Sequence, residues 1–190
     1  MTQEQIPQLI VYCGPMYSGK STALFNARTY YKTINKTIQA IKPKIDTRYS
    51  VETIVTHSKK TIEKEYVKAL SIDLPTEEWK NINFGADVFL IDEIQFFSVS
   101  IIDFIKRLLN SDKIIYVAGL DLDSKGEPFG QMPSILSLAT NIQKFEGVCN
   151  KCGSKHASRT YRKPEVKDNS QVLIGGEELY ESRCFKCWNF

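Results

Sequence analysis

The sequence predicts an α/β fold, with a mainly parallel sheet flanked by helices, followed by a small C-terminal metal-binding domain. Short apolar runs rich in β-branched residues alternate with segments of helical periodicity, which is typical of a parallel sheet. A glycine-rich turn joins the first apolar run to the first helical segment. After residue 148 this pattern gives way to short polar pieces between two C-x-x-C pairs. We therefore predict one domain at residues 1–148 and a second at residues 149–190.

The individual elements follow from local patterns. Runs such as QLIVYC and DVFLID are apolar throughout, as expected for strands buried on both faces. The predicted strands lie at residues 8–13, 37–41, 87–92, 113–120 and 142–148. Apolar residues at helical spacing, or the lack of Gly and Pro, predict helices at residues 21–32, 98–109 and 134–139. Polar loops are expected at residues 42–50 and 126–130, while residues 50–80 are ambiguous, with a helix start possible near Pro75.

Composition narrows the class of protein. The 190 residues are 42% hydrophobic and 25% charged, which is ordinary for a soluble globular protein. No apolar run reaches membrane-spanning length, and the polar start MTQEQIPQ does not resemble a secretory signal, so we expect a cytoplasmic protein without a membrane partner. The net charge of +3 comes with scattered lysines, which favours a solvated surface over a nucleic-acid partner.

The first turn carries a phosphate-binding pattern. Gly14, Gly19, Lys20 and Ser21 complete G-x-x-x-x-G-K-[ST] between a strand and a helix. Glycines let backbone N–H groups face the phosphate oxygens, Lys20 adds a full charge, and the Ser21 hydroxyl is suited to Mg²⁺. The alternative is a glycine-rich turn with an incidental lysine. The predicted larger domain is therefore of the P-loop, RecA-like, nucleotide-binding kind.

An acid pair ends the third predicted strand. Because ligands bind at the carboxyl ends of parallel strands, we assign Asp92 to Mg²⁺. Glu93, the next residue of the strand, is expected to point the other way, and a carboxylate beside the γ-phosphate can act as a general base. The pair alone does not distinguish attack by water, as in ATPase motors, from attack by a hydroxyl group. A merely solvent-facing acid is the simpler alternative for Glu93.

The C-terminal cysteines predict a metal site. Two C-x-x-C pairs about thirty residues apart are typical of a closed, structural four-thiolate zinc site, with four unrelated thiols as the alternative. Its ligands are predicted to be Cys149, Cys152, Cys184 and Cys187. Cys13, in the first strand, is expected to be a small buried hydrophobe. Gly175 and Gly176 indicate either backbone close to a ligand or a simple hairpin turn.

An ordered set of segments resembles the type II, cytosolic family of thymidine kinases over about residues 8–187. The segments are GPMYSGKST, KPKIDTRYS, IDEIQFF, GLD with GEPFG, the two cysteine pairs, and VLIGG followed by Tyr180. The resemblance implies ATP- and Mg²⁺-dependent phosphorylation of the 5′-hydroxyl of thymidine and deoxyuridine, in nucleotide salvage. It also implies a homotetramer, thymidine triphosphate as feedback inhibitor, and a zinc-ribbon-like second domain with a lasso loop.

The resemblance also implies site residues. Glu93 becomes the general base on the 5′-hydroxyl. The residues that match the family's ATP and phosphate site are Gly14, Pro15, Met16, Tyr17, Ser18, Gly19, Lys20, Ser21, Thr22 and Arg48. Those that match its nucleoside pocket are Met16, Phe96, Leu120, Phe129, Thr160, Val172, Leu173, Ile174, Gly175, Gly176 and Tyr180. Val172 to Gly176 and Tyr180 match the family's lasso, a loop that recognises the base through backbone groups and is anchored by the zinc.

Two departures from the family and two rival functions complete the sequence hypotheses. The stretch CGSKHASRT, which ends at Thr160, is a residue longer than in some relatives. Ser124 occupies a position that is usually aromatic in the family, which affects substrate affinity rather than the class of reaction. A P-loop ATPase or switch would use Glu93 to activate water and would turn over without a nucleoside. A zinc-ribbon nucleic-acid module would need a basic, aromatic-rich ribbon, whereas this segment is also rich in Glu.

Overall fold

The computed structural model describes residues 6–46, 53–55, 66–68, 70–72, 76–168 and 170–188. Numbered in chain order, the strands are β1 (Gln8–Cys13), β2 (Ile38–Pro43), β3 (Thr53–Val55), β4 (Tyr66–Lys68), β5 (Leu70–Ile72), β6 (Val88–Ile91), β7 (Ile114–Gly119), β8 (Asn141–Lys144), β9 (Ala157–Arg162) and β10 (Tyr180–Cys184). The helices are α1 (Lys20–Thr33), α2 (Ser100–Leu109), α3 (Met132–Leu138) and α4 (Phe185–Trp188), with 3₁₀ turns at Thr76–Asn81 and Ile94–Phe96.

Six of these strands form one sheet in the spatial order β5-β2-β6-β7-β1-β8. Each pairing between neighbours in this sheet is parallel. Two smaller antiparallel pairs, β3 with β4 and β9 with β10, lie outside it. The predicted α/β architecture with a mainly parallel sheet is therefore confirmed.

The core is divided by the sheet because successive residues of a strand face opposite sides. Leu9, Val11 and Cys13 of β1 join one cluster, together with the apolar side chains of α2 and α3. Val88 and Leu90 of β6 face the other side, where Leu24 of α1 packs in a second cluster. Helices thus cover both faces, which explains why the central strands are apolar throughout. Cys13 is 2% exposed, as expected for a small buried hydrophobe.

Several element boundaries differ from the predictions. The last strand of the sheet ends at Lys144 rather than at residue 148, because the chain then leaves the sheet and Gly147 pairs with Ala157 at the start of β9. Helix α3 begins at Met132, two residues before the predicted start, with a proline at the first helical positions. The helix suggested near Pro75 is a 3₁₀ turn over Thr76–Asn81.

The C-terminal region contains regular structure that the sequence did not predict. Strands β9 and β10 pair as an antiparallel hairpin and the short helix α4 follows directly. The predicted boundary between residues 148 and 149 falls between β8 and β9. The division into two domains stays a prediction. No helix in the described part of the chain is both long and apolar enough to cross a lipid bilayer.

Candidate functional site

The candidate site lies at the carboxyl edge of the six-stranded sheet. Strands β1, β6 and β7 are parallel, and Cys13 is aligned with Gly119, so their carboxyl ends meet at the same edge. The glycine-rich loop follows β1, Asp92 follows β6 and Leu120 follows β7. Residues separated by more than a hundred positions in the chain are thereby brought to one edge, which is where parallel sheets bind ligands.

The phosphate-binding loop has a compact backbone that only glycine permits at two positions. Gly14 has φ 135°, and a β-carbon there would collide with the carbonyl oxygen of Phe145. Gly19 has φ 93° and precedes the first residue of α1. Both angles fall in the left-handed region that side chains disfavour. The loop therefore has two glycines in left-handed conformations and a helix that begins at its end, which are features of a phosphate cradle.

Lys20 is held inside this loop. Its ammonium donates to the carbonyl oxygen of Pro15 at 2.5 Å, and the Ser18 hydroxyl donates to the same oxygen at 2.8 Å. Lys20 is 9% exposed, which is unusual for a lysine. The Lys20 ammonium therefore lies within the loop, where a phosphate oxygen could replace the Pro15 carbonyl as its acceptor.

Asp92 is a buried carboxylate next to the cradle. It is 8% exposed, and it accepts hydrogen bonds from the Ser21 hydroxyl and from the backbone N–H of Glu93. Burial, followed by the negative charges of Glu93 and Asp46, raises the pKa of Asp92 to about 7 despite those hydrogen bonds. A carboxylate and a hydroxyl at this place are oxygen ligands of the kind that a hard cation prefers. The donor set therefore fits Mg²⁺.

Glu93 does not lie on the strand, which corrects the sequence prediction. Strand β6 ends at Ile91, and Glu93 has φ 51°, in the left-handed region, directly before the 3₁₀ turn Ile94–Phe96. Its side chain therefore does not follow the alternation of the strand. Such a backbone in a residue other than glycine costs about 1–3 kcal/mol and is found preferentially at functional sites. The Glu93 carboxylate accepts a hydrogen bond from the Gln95 amide at 2.6 Å.

A cleft next to the cradle encloses about 380 Å³ of space, part of which is open to solvent. Nine of the residues predicted for the nucleoside pocket line it: Met16, Phe96, Leu120, Phe129, Thr160, Leu173, Ile174, Gly175 and Tyr180. The rings of Phe96 and Phe129 meet edge to face, with centroids 5.6 Å apart. The cleft therefore has the flat apolar walls that a planar base needs.

Two predicted pocket residues do not line the cleft, and one predicted phosphate contact falls outside the described residues. Val172 is 41% exposed, and neither it nor Gly176 belongs to the lining. Arg48 lies outside the described residues. The roles assigned to all these residues stay predictions.

The structure adds three polar residues to the cleft. Asp123, Ser124 and Gln171 line it, and the Gln171 amide donates to the Asp123 carboxylate at 2.9 Å. Ser124 does lie where the resemblance led us to expect an aromatic wall, and its backbone carbonyl accepts from the Trp188 indole at 3.3 Å. Asp123 follows β7 closely, as Asp92 follows β6, which is a signal that the sequence offered. Nothing in the sequence connected Gln171 with the loop after β7.

The C-terminal hairpin is hydrogen-bonded to the phosphate-binding loop at Met16. The Met16 N–H donates to the Thr160 hydroxyl at 3.0 Å, and its carbonyl accepts from the Ser182 hydroxyl at 2.5 Å. Thr160 and Ser182 are paired across β9 and β10, and both are buried. One rung of the hairpin thus satisfies both backbone groups of a residue that belongs to the cradle and to the cleft. No sequence pattern pointed to Ser182.

Five residues line the side of the cleft that corresponds to the predicted lasso: Gln171, Leu173, Ile174, Gly175 and Tyr180. The Arg162 guanidinium donates to the carbonyl oxygens of Asp168 at 2.6 Å and Ser170 at 2.8 Å. The Tyr180 hydroxyl donates to the carbonyl of Leu173 at 2.8 Å. A β-carbon on Gly175 would collide with Leu179. Side chains of β9 and β10 thus hold the backbone of this segment in place.

The four predicted zinc ligands form one cluster. The sulfur atoms of Cys149, Cys152, Cys184 and Cys187 all lie within 4.8 Å of one another. The sulfurs of Cys152 and Cys184 are 3.8 Å apart, which is about the separation that tetrahedral Zn–S bonds of about 2.3 Å require. Burial raises the pKa of the Cys149 thiol. Hydrogen bonds from the backbone N–H groups of Cys184, Cys152 and Lys151 outweigh this effect and lower the pKa to about 6. The cluster therefore fits a structural zinc ion.

Comparison with known proteins gives a family and weak structural likenesses. A family model described as thymidine kinase matches residues 7–188. Among solved structures, the chain is similar to a DNA replication initiation factor (16% identity, TM-score 0.46, 73% of this chain and 40% of that one). It is also similar to AMPPCP-bound DnaA from Aquifex aeolicus (16%, 0.45, 74% and 41%) and to the flagellar accessory protein FlaH from Methanocaldococcus jannaschii (18%, 0.41, 77% and 74%).

These structural likenesses are too weak to bear on function, and the chain spans about 40% of the length of the first two proteins. The family match is different in kind, since it covers nearly the whole described chain, from the first strand through both cysteine pairs. The chain therefore belongs to the thymidine kinase family, a family of phosphotransferases.

Proposed function

We propose that this protein transfers the γ-phosphoryl group of ATP to the 5′-hydroxyl of thymidine and of deoxyuridine. The observation that carries the proposal is that Met16 belongs both to the phosphate-binding loop and to the wall of the cleft. A nucleoside in that cleft would therefore lie beside the terminal phosphate in the cradle. Membership of the thymidine kinase family supports the same acceptor.

The proposed mechanism is an in-line transfer in which positioning and charge neutralisation supply most of the rate. Backbone N–H groups of the loop and the Lys20 ammonium bind the phosphates of ATP. Ser21 and Asp92 would hold Mg²⁺, which when bound supplies positive charge to the phosphate oxygens. Glu93 accepts the proton of the 5′-hydroxyl as this oxygen attacks phosphorus and the β–γ bridging oxygen leaves with the bond electrons.

Exclusion of water is assigned to the lasso. A kinase that admitted water to the cradle would hydrolyse ATP without product. Gln171, Leu173, Ile174 and Gly175 line one side of the cleft, so a nucleoside bound there would be covered on that side. Zinc, held by the four cysteines, would fasten the hairpin from which this wall extends.

The first experiment supplies labelled ATP, Mg²⁺ and a panel of nucleosides to the wild type and to Glu93→Gln. We expect labelled monophosphate from thymidine and deoxyuridine alone, and a loss of at least about 10²-fold in the variant. Free phosphate as the labelled product, with or without nucleoside, would show that the acceptor is water and would refute the proposed function.

Three further properties implied by the family belong to the same proposal. We expect a homotetramer, measured by light scattering, and inhibition by thymidine triphosphate that ATP relieves. Such inhibition follows if the triphosphate places its base in the cleft and its phosphates in the cradle. Residence in the cytoplasm and a role in nucleotide salvage stay predictions from the sequence.

A further inference from the structure

We propose that Gln95 is a positioning residue that fixes the Glu93 carboxylate relative to the nucleoside cleft. The inference rests on the proposed function, in which Glu93 is the general base. Gln95 itself does not line the cleft, so it would act through Glu93 rather than on the substrate.

The Gln95 amide bridges two groups of the site. Its nitrogen donates to Oε2 of Glu93 at 2.6 Å, and its oxygen accepts from the backbone N–H of Leu120 at 3.0 Å. Leu120 forms part of the cleft wall. One rigid amide plane therefore spans the distance from the proposed base to the pocket that holds its substrate.

The two partners determine the orientation of this amide. A carboxylate can only accept a hydrogen bond, and a backbone N–H can only donate one. Rotating the amide by 180° would place its oxygen against the carboxylate and its NH₂ group against the N–H, so both contacts would become repulsive. Gln95 thus presents its donor to Glu93 in one orientation.

The surroundings leave Gln95 little freedom to move. It is 3% exposed. A β-carbon on Gly119 would lie 2.6 Å from its amide oxygen, and one on Gly130 would collide with its backbone carbonyl. Both glycines therefore make room for Gln95, one for its side chain and the other for its backbone. Because close packing fixes the rotamer of Gln95, its amide can hold the Glu93 carboxylate in one place.

Glu93 benefits from such a support because its backbone is in the left-handed region, two residues before Gln95 in the same tight turn. The side chain of a residue outside regular structure is not directed by a strand or helix. Displacement of a reacting group by about 1 Å can cost about 10²-fold in rate. The hydrogen bond from the Gln95 amide orients the Glu93 carboxylate, which the strand does not.

The test compares Gln95→Met, Gln95→Glu and the control Gln39→Met in steady-state kinetics with thymidine and ATP. Methionine keeps the volume but removes both hydrogen bonds. Glutamate keeps an acceptor for the Leu120 N–H but places a carboxylate where the donor to Glu93 was, so it retains one contact and makes the other repulsive. Gln39 likewise bridges two backbone groups, of Ala40 and Asn83, but in β2 and away from the cleft.

We expect kcat to fall about 10- to 100-fold in both Gln95 variants, with the KM for ATP within about twofold of the wild type. Gln39→Met should lower the melting temperature without lowering kcat by more than about twofold. In a Glu93→Gln background, Gln95→Met should reduce the residual rate by less than about threefold, because the group it positions is already absent.

Other results would overturn the inference. A rise in the KM for thymidine at unchanged kcat would mean that Gln95 only supports the cleft wall. Multiplicative losses in the double variant would mean that it acts independently of Glu93. If the wild type phosphorylates thymidine and Glu93→Gln is strongly impaired but Gln95→Met is not, the positioning role alone fails. If the wild type forms no nucleoside monophosphate, the proposed function fails and the positioning role fails with it.

Discussion

The two sides of the site are stabilised by different means. The phosphate side, comprising the loop after β1 and the acids after β6, rests on a sheet whose larger cluster contains eighteen buried apolar residues. The nucleoside side, comprising the hairpin β9–β10 and residues 170–179, contributes Tyr180 to a small buried cluster with Met16, Leu120 and Phe129. Leu173 and Leu179, which are partly buried, pack against this cluster. Beyond that it depends on four thiols and on hydrogen bonds from a few side chains.

This difference indicates that the phosphate side is stable through apolar burial and that the nucleoside side is stable through cross-links. Apolar burial is distributed over many contacts, so single changes there leave the architecture intact. A segment whose folding depends on a metal is lost when the metal is removed. Recognition of the nucleoside should therefore be the more fragile function.

The largest expected effect concerns the phosphate side. Lys20→Met should lower kcat/KM by about 10²–10³-fold, because the phosphoryl group that is transferred loses the stabilising positive charge of the Lys20 ammonium in a site with little solvent. The fold should persist, since the ammonium is already buried. Steady-state kinetics and circular dichroism measure the two effects, and Lys32→Met, at an exposed position of the same helix, is the control. Equal losses in both variants would contradict the role of the cradle.

Zinc removal should have the next largest effect and should separate the two sides. A chelator should lower kcat/KM for thymidine by about 100-fold while changing the affinity for ATP by less than about threefold, because only the nucleoside side depends on the metal. The chain has two tryptophans, Trp79 near the sheet and Trp188 beside the zinc ligands. With Trp79→Phe the emission should shift on chelation, and with Trp188→Phe it should not. Simultaneous shifts in both variants would show that the two sides unfold together.

Asp92→Asn should stabilise the nucleotide-free protein by about 2 kcal/mol near pH 8, measured by urea denaturation without added Mg²⁺. The pKa of Asp92 is raised to about 7 in the folded state, so the folded state binds this proton more tightly than the unfolded state. Wild-type stability therefore decreases as the pH rises from about 4 to about 7. The advantage of the variant should accordingly disappear near pH 4. An advantage that does not depend on pH would exclude this cause.

The smallest expected effect lies at the junction of the two sides. Ser182→Ala leaves the Met16 carbonyl without this partner and should cost about 1 kcal/mol of stability. The KM for thymidine should rise by a few fold and the KM for ATP should not change. Ser137→Ala removes a comparable hydroxyl from an exposed helix position and is the matched control. A rise in the KM for ATP alone would place the contact on the phosphate side only.

Prediction from sequence succeeded where the signal is local. The apolar runs of β1, β6 and β7 were identifiable because a strand buried on both faces must be apolar at each position. The cradle and the cysteine pairs were identifiable because their chemistry requires fixed spacings. The hairpin β9–β10 was missed because Ser, Thr, Arg and Tyr alternate in it, and its burial comes from contact with Met16 rather than from its own composition.

The sequence by itself determined five of the six strands of the sheet, the phosphate-binding loop, the acids beside it and the identity of the four thiols, because each depends on neighbouring residues. Only the tertiary structure decided that Glu93 leaves the strand, that Gln95 joins it to Leu120, and that Ser182 closes on Met16. The last contact joins residues 166 positions apart. Contacts of that kind arise from the packing of one element on another, and no local pattern encodes them.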